Sequence, residues 1–132
     1  MNLNSLLIGS ENPQALADFY GKIFGKPGFE DGGYTGWQVG GGFITVGPHD
    51  SVKGPNPSPE RILLNFETSD VKGEFERIKG LGATVVKEPY DPGEGIEEYD
   101  SGEKFLIATF SDPDNNYFQL MSPMPPEMAE KM

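Results

Sequence analysis

Short apolar segments and one amphipathic stretch follow each other in the same order twice along the chain. In the first half, residues 5–10 (SLLIGS) form an apolar run that is typical of a strand. Asn12 and Pro13 predict a helix start, because an asparagine side chain caps free backbone amides and proline suits the first helical position. Apolar residues then recur at helical spacing, and Gly25 is placed to end the helix.

Glycines punctuate the segment after this helix. Residues 33–41 and 42–47 are predicted to be short strands of hairpins, with glycines where the backbone bends or is closely approached. Residues 49–60 carry three prolines at alternate positions, a pattern that no regular element accommodates. We therefore predict a first module over about 1–49 and a linker over about 50–60.

The same order of elements begins again after the linker. Residues 61–67 predict a strand, and Ser69 or Asp70 predicts the cap of a second helix that closes at glycines. Further strands are predicted at 83–86, 105–110 and 117–121. The whole chain thus reads as one domain that contains a strand-helix-strands unit twice, with a second module at about 61–123 and a tail at 124–132.

A tight turn is predicted directly before the last strand. Pro113 presets one turn dihedral, and the aspartates and asparagines around it bond their own backbone and tolerate left-handed conformations. Because side chains alternate across a strand, Phe118 and Leu120 are predicted to be buried on one face. The opposite face combines a phenol, an amide and a thioether, which is typical of a cavity lining, and it carries Tyr117, Gln119 and Met121.

Charge and composition exclude several partners. The sequence has 10 Lys and Arg residues and 21 Asp and Glu residues, which gives a formal net charge of −11. Because this charge repels the phosphate backbone, we expect no nucleic-acid partner. Residues 1–60 have a net charge of −3 and residues 61–132 a net charge of −8. The acidic segment 91–103 is interpreted as a solvated loop, with a functional lid as the alternative. The absence of cysteine, of a bilayer-spanning run and of signal-peptide features predicts a cytoplasmic protein without membrane contact.

Three motifs carry a resemblance to a known superfamily. They are Asn12-Pro13 leading into Ala17-Asp18-Phe19-Tyr20 and Phe24-Gly25, then Asp70-Val71 with Leu81-Gly82-Ala83, and finally Asp112-Pro113-Asp114-Asn115-Asn116-Tyr117. Because these motifs occur in this order, the chain resembles the vicinal oxygen chelate superfamily, which includes glyoxalases, extradiol dioxygenases and bleomycin-resistance proteins. The resemblance implies an α+β fold of two β-α-β-β-β modules with mixed sheets curling around a shared cavity, and it implies a homodimer.

Metal-dependent members of this superfamily place ligands on the first and last strands of each module. By resemblance, those positions fall on Ser5, Thr45, Leu63 and Gln119, and none of the four is the family's ligand type. Since a transition metal requires imidazole, thiolate or carboxylate donors, we expect no metal and no cofactor. The single histidine, His49, is interpreted as an exposed linker residue.

Strand parity predicts which residues line the cavity and contact a ligand there, with apolar walls for affinity and a few polar groups for orientation. These residues are Ser5, Leu7, Trp37, Phe43, Thr45, Leu63, Asn65, Tyr117, Gln119 and Met121. For Trp37, Phe43 and Met121, simple core packing is an equal alternative. Glu67 could act as a base if it is buried, but a surface glutamate is the preferred interpretation, and we assign no catalytic residue.

Three functions remain open at this point. The preferred one is metal-free binding of a small molecule, similar to the drug-sequestering branch of the superfamily, with the acidic charge favouring a cationic or amphipathic ligand. The alternative is a lyase or dioxygenase of the same superfamily with a displaced metal site. The third is a structural or regulatory module that works through its surface and has a filled interior.

Overall fold

The computed structural model describes residues 1–92 and 105–124, and it confirms the predicted α+β fold with two four-stranded mixed sheets. The protein divides into two units, each with one sheet and one α-helix. Unit 1 comprises Met1–Pro57 together with Asp112–Asn115, and unit 2 comprises the remaining residues. The turn that precedes the last strand therefore groups with the first half of the chain.

Two predicted segments fall largely outside the described residues. These are the acidic loop, from residue 93 to residue 103, and the C-terminal tail from residue 125 onward. Neither helix in the described part of the chain combines the length and apolarity that a membrane crossing requires.

Unit 1 contains four strands and one α-helix: β1 is Leu6–Ser10, α1 is Pro13–Phe24, β2 is Phe29–Asp31, β3 is Tyr34–Val39 and β4 is Gly42–Pro48. The strand order is β1-β4-β3-β2, with β1 parallel to β4 and the other pairs antiparallel. The predicted helix signals are confirmed. Asn12 Oδ1 accepts a hydrogen bond from the Ala15 backbone N–H, and Gly25 ends the helix at a φ of 92°, which favours glycine.

The core of unit 1 lies between α1 and one face of its sheet. Leu16 and Tyr20 on the helix are 0% exposed, and they share this layer with the buried β4 residues Ile44 and Val46. Trp37 on β3 joins the same layer, because its ring lies 6.0 Å from that of Phe24 and its indole N–H donates to the Gly25 carbonyl. Burial of these side chains holds the amphipathic helix on the sheet.

Unit 2 repeats this arrangement: β5 is Leu64–Glu67, α2 is Val71–Gly80, β6 is Thr84–Tyr90, β7 is Ile107–Ser111 and β8 is Tyr117–Met121. The strand order is β5-β8-β7-β6, with β5 parallel to β8. Asp70, one of the two predicted caps, accepts from the Gly73 N–H at 2.9 Å. A stack of Phe75, Phe110 and Phe118 fills the layer between α2 and the sheet.

Several predicted boundaries differ from the structure for local reasons. The strand predicted from residue 61 begins at Leu64, because Pro59–Arg61 forms a short 3-10 helix. The strand predicted at 83–86 continues to Tyr90 through irregular pairing with β7. The three-residue strand β2 was not predicted, since its residues are all exposed and show no apolar alternation.

The predicted turn before β8 is confirmed, and it is tied to unit 1 by side-chain hydrogen bonds. Asn115 has a φ of 63°, the left-handed conformation expected of an asparagine here. The buried Tyr20 hydroxyl donates to Asp112 Oδ2 at 2.7 Å, and Ser10 Oγ donates to Asp114 Oδ2 at 2.5 Å. Burial, together with the Asp112 carboxylate, raises the pKa of Tyr20 well above its usual value.

Candidate functional site

Each sheet has one face that packs against its own helix and one face that does not. We call the second the helix-free face. On β8, Phe118 and Leu120 are 1% and 3% exposed, as predicted, and they point toward α2. Tyr117, Gln119 and Met121 therefore lie together on the helix-free face of unit 2, because side chains alternate along a strand.

The helix-free face of unit 1 brings together three of the predicted ligand contacts. Leu7 on β1 pairs in register with Thr45 on β4, and Phe43 lies two residues before Thr45 on the same face. Leu7 is 52% exposed and therefore adds apolar area to this face. Ser5 precedes β1 and is exposed.

Two glycines shape this face by leaving room for aromatic rings. A Cβ atom added at Gly36 would lie 2.7 Å from Phe43 Cε1 and 3.2 Å from Thr45 Oγ1, so the Phe43 ring lies over the glycine. Gly47 is covered in the same way by the Tyr34 ring. Aromatic rings that lie across glycines in a sheet form a flat surface for stacking. We call Tyr34, Gly36, Phe43 and Gly47 the aromatic surface.

Tyr34 was missed by the sequence reasoning. The signal that pointed to it was available, because an aromatic residue and a glycine occur in facing hairpin strands. Which of the many glycines in residues 32–47 faces an aromatic ring depends on the strand register, and that register is visible only in the structure.

Trp37 does not share the face of Phe43 and Thr45, and its predicted placement there is wrong. It is 2% exposed and lies in the layer between the sheet and α1. Phe43 lies on the opposite face of the sheet from Trp37. The core alternative that the sequence left open therefore describes Trp37, whereas Phe43 is partly exposed on the helix-free face.

The helix-free face of unit 2 is more polar than that of unit 1. Asn65 on β5 pairs in register with Gln119, and Gln119 pairs with Thr109 on β7. The Gln119 side-chain amide donates to Thr109 Oγ1 at 3.0 Å. Lys87 on β6 is the register partner of Thr109, so four polar side chains cross the sheet in one row. Thr109 and Lys87 were not predicted as members of this site.

Glu67 and Met121 form a second row on the same face of unit 2. They pair in register, and Met121 pairs with Ile107 on β7. Glu67 is exposed, which agrees with the interpretation of a surface glutamate. The Lys87 ammonium lies 4.9 Å from the centre of the Tyr90 ring at the other edge of the sheet. Leu63 precedes β5 and is 38% exposed.

The donor atoms at the family's metal positions do not fit a transition metal. Ser5 and Thr45 supply hydroxyls, Leu63 supplies no donor and Gln119 supplies a neutral amide oxygen, whereas a transition metal requires imidazole, thiolate or carboxylate donors. His49 is exposed and accepts from the Ser51 N–H through Nδ1. Within residues 1–92 and 105–124, no group of three or more histidines and carboxylates is arranged to hold a metal ion.

Seven of the ten predicted residues are thus gathered on one face of their own unit, whereas Trp37 lies on the opposite face and Ser5 and Leu63 precede their strands. The structure brings together Leu7, Phe43 and Thr45 in unit 1, and Asn65, Tyr117, Gln119 and Met121 in unit 2. That both sets contact one ligand stays a prediction.

Among solved structures of similar fold, two are complexes with different small molecules. A glyoxalase/bleomycin resistance protein/dioxygenase family enzyme from Burkholderia phytofirmans PsJN is 21% identical, with a TM-score of 0.67 over 92% of this chain and 98% of that one. A bleomycin-binding protein complexed with bleomycin is 18% identical, with a TM-score of 0.62 over 93% and 99%. A fosfomycin resistance protein from Listeria monocytogenes, complexed with Mn(II) and a dihydroxypropylphosphonic acid, is 21% identical, with a TM-score of 0.63 over 90% and 87%.

The family assignment comes from the sequence over nearly its full length. The family model described as a glyoxalase-like domain matches residues 5–121, which include both sheets and both helices. The order of motifs, the repeated unit and the fold agree with this match. The chain belongs to the glyoxalase-like domain family, within the vicinal oxygen chelate superfamily.

Proposed function

We propose that this protein binds a small amphipathic molecule on its helix-free faces and does so without a metal ion. The aromatic surface of unit 1 carries this proposal. Its rings lie over Gly36 and Gly47, next to the exposed Leu7 and the Thr45 hydroxyl. An aromatic surface beside the Thr45 hydroxyl is suited to stacking a planar group of a ligand while a polar group fixes its orientation.

The helix-free face of unit 2 supports the polar half of the proposal. The row of Asn65, Gln119, Thr109 and Lys87 offers amide, hydroxyl and ammonium groups, and its amides and hydroxyl recognise a neutral polar ligand group by hydrogen bonds. The formal net charge of −11 attracts cationic ligands over long distances. A cationic, amphipathic ligand therefore suits the negative charge of the protein, the aromatic surface of unit 1 and the polar row of unit 2.

Bleomycin is the first compound to test, because one protein of similar fold binds it. We expect saturable binding of metal-free bleomycin in isothermal titration calorimetry, with unchanged affinity in the presence of EDTA. Gly36→Ala lifts the Phe43 ring and is expected to weaken binding by about tenfold, the scale of one aromatic contact. Gly41→Ala is the matched control, since a Cβ atom there meets nothing within 4 Å.

Three results would contradict the proposal. Equal affinities of the Gly36→Ala and Gly41→Ala variants would mean that the aromatic surface is not part of the binding site. Absence of saturable binding for bleomycin and for a panel of cationic amphipathic compounds would favour a module that works through its surface. Stoichiometric metal in purified protein, with stabilisation by added Mn(II) or Zn(II), would favour the lyase or dioxygenase alternative.

A further inference from the structure

A groove of about 780 Å³ lies within unit 1, between α1 and the strands β2 and β3. Its volume is within the range of small-molecule sites in proteins. Apart from Trp37, none of the residues predicted to bind a ligand lines this groove. It is therefore a second candidate site, which shares Tyr34 with the aromatic surface but contains neither Leu7, Phe43 nor Thr45.

The helix side of the groove is built from two parallel rows of residues four positions apart. Residues at this spacing lie on one side of a helix. The inner row has small or compact side chains that leave space, and it consists of Pro13, Ala17 and Gly21. The outer row is polar and consists of Gln14, Asp18 and Lys22.

The opposite wall of the groove comes from the edge of the sheet. Glu30 and Asp31 lie on β2, the last strand in the order β1-β4-β3-β2, and both are exposed. The indole of Trp37 forms an apolar part of the lining and is fixed by its hydrogen bond of 2.9 Å to the Gly25 carbonyl. A Cβ atom at Gly21 would lie 3.9 Å from Trp37 Cζ2, so the helix approaches the ring closely at this point.

The charge of the groove is negative and is not neutralised by close ion pairs. Three carboxylates line it, from Asp18, Glu30 and Asp31, against the one ammonium of Lys22. The one salt bridge among the described residues joins Arg77 and Glu74, in unit 2. Asp18 accepts a hydrogen bond from the neutral Gln14 amide at 2.8 Å, which leaves its charge in place.

We infer that this groove binds a small organic cation, an amine or amidinium on a compact apolar body. The carboxylates on both walls attract the charged group, and the small residues of α1 leave room for the apolar part. A metal ion is not the expected occupant. Within the described part of the chain, no set of three or more histidines and carboxylates is arranged to hold one.

The single tryptophan of the chain reports on this site directly. Because Trp37 lines the groove, its fluorescence is expected to change when the groove is occupied. Benzamidine is the probe, and benzamide is its neutral counterpart of nearly the same shape. We expect a saturable change with benzamidine, weakening as salt is raised, and an affinity for benzamide at least about tenfold lower.

Charge variants separate local attraction from the field of the whole protein. Glu30→Gln with Asp31→Asn is expected to weaken benzamidine binding by about tenfold, the combined scale of two exposed charges. Glu76→Gln with Glu88→Gln removes the same charge from exposed positions in unit 2 and is expected to leave the affinity within about twofold. Equal weakening in both double variants, or equal affinity for benzamidine and benzamide, would overturn the inference.

A volume variant provides an independent test. Ala17→Leu keeps a strong helix former while filling the groove, so it is expected to abolish the benzamidine signal without changing the far-ultraviolet circular dichroism. Gly36→Ala, on the other face of the sheet, is expected to leave benzamidine binding unchanged. Saturable binding that survives Ala17→Leu at full affinity would place benzamidine elsewhere. Loss of binding in Gly36→Ala would assign it to the aromatic surface.

Discussion

The helix-free faces of the two units share one topology but differ in chemistry. The central row of unit 1 consists of Leu7, Thr45, Gly36 and Phe29, and the row of the same topology in unit 2 consists of Asn65, Gln119, Thr109 and Lys87. The first row offers apolar area and one hydroxyl, whereas the second offers amides, a hydroxyl and a cation. A repeated fold thus fixes where side chains point without fixing what they can bind.

The helix-packed faces differ in another way. Unit 2 fills this layer with the stacked rings of Phe75, Phe110 and Phe118. Unit 1 fills it with Trp37 and with Tyr20, whose buried hydroxyl requires a partner and finds it in Asp112. The first unit therefore includes a polar contact between residues far apart in the sequence, which the second unit replaces by apolar stacking.

The largest expected effect on stability distinguishes the two faces of the sheet in unit 1. Trp37→Ala should lower the free energy of unfolding by about 3–5 kcal/mol, because it removes a buried ring and a hydrogen bond. Phe43→Ala, on the helix-free face, should cost at most about half as much because its ring is partly exposed. Urea denaturation measures both values. Equal losses would mean that the two faces are equally buried in solution.

Removal of the Tyr20 hydroxyl has the next largest expected effect. Tyr20→Phe should lower the free energy of unfolding by about 1–3 kcal/mol at neutral pH, since it leaves the buried Asp112 carboxylate without this donor. Leu16→Ala, in the same layer but without a polar group, is a reference for pure apolar loss.

The same pair also predicts a pH dependence. The pKa of Tyr20 is raised in the folded state by burial and by Asp112, so its stabilisation is complete below the unfolded-state value of about 10. As the pH rises above that value, the unfolded state loses its proton first, and the contribution is lost. The difference between wild type and Tyr20→Phe should therefore shrink from pH 9 to about pH 11. A constant difference over this range would contradict the shifted pKa.

A smaller effect compares two threonines in the equivalent central rows of the two units. Thr109→Val should lower the free energy of unfolding by about 0.5–1.5 kcal/mol, because it removes the acceptor of the Gln119 amide at a buried position. Thr45→Val keeps the shape on the more apolar face and should change stability by less than about 0.5 kcal/mol. Denaturant titrations of the two variants test this. A larger loss for Thr45→Val would show that its hydroxyl is structural.

The smallest expected effect concerns the edge of the sheet in unit 2. Lys87→Met should cost no more than about 0.5–1 kcal/mol, because an exposed ammonium over the Tyr90 ring contributes little. Tyr90→Leu in the Lys87→Met background should then have no additional electrostatic effect, which a double-mutant cycle measures. A coupling well above 1 kcal/mol would mean that this edge is more buried than the exposure of Lys87 indicates.

Much of the fold could be predicted because its signals are local. Asn12 and Asp70 cap the helices as expected, Gly25 ends the first helix, and the last strand runs from Tyr117 to Met121 as predicted. These features depend on backbone preferences and hydrogen bonds within a few residues of the chain. The alternation of side chains on β8 likewise followed from strand geometry alone.

The placement of Trp37 could not be predicted, because both faces of β3 carry suitable residues. Thr35, Trp37 and Val39 occupy one face, while Tyr34, Gly36 and Gln38 occupy the other. Which face receives the helix depends on how α1 crosses the sheet, and no local preference encodes that. The aromatic surface has the same origin, since a ring covers Gly36 only after β3 and β4 pair in one register.

The sequence by itself determined the elements, their caps, the repeated unit and the residue types at the family's metal positions, because each depends on chemistry that is local in the chain. The tertiary structure alone decided which face each helix covers, which rings lie over glycines, and that Tyr20 bonds Asp112 across 92 residues. Those features arise from packing between distant segments, where burial and register, rather than local preference, select the arrangement.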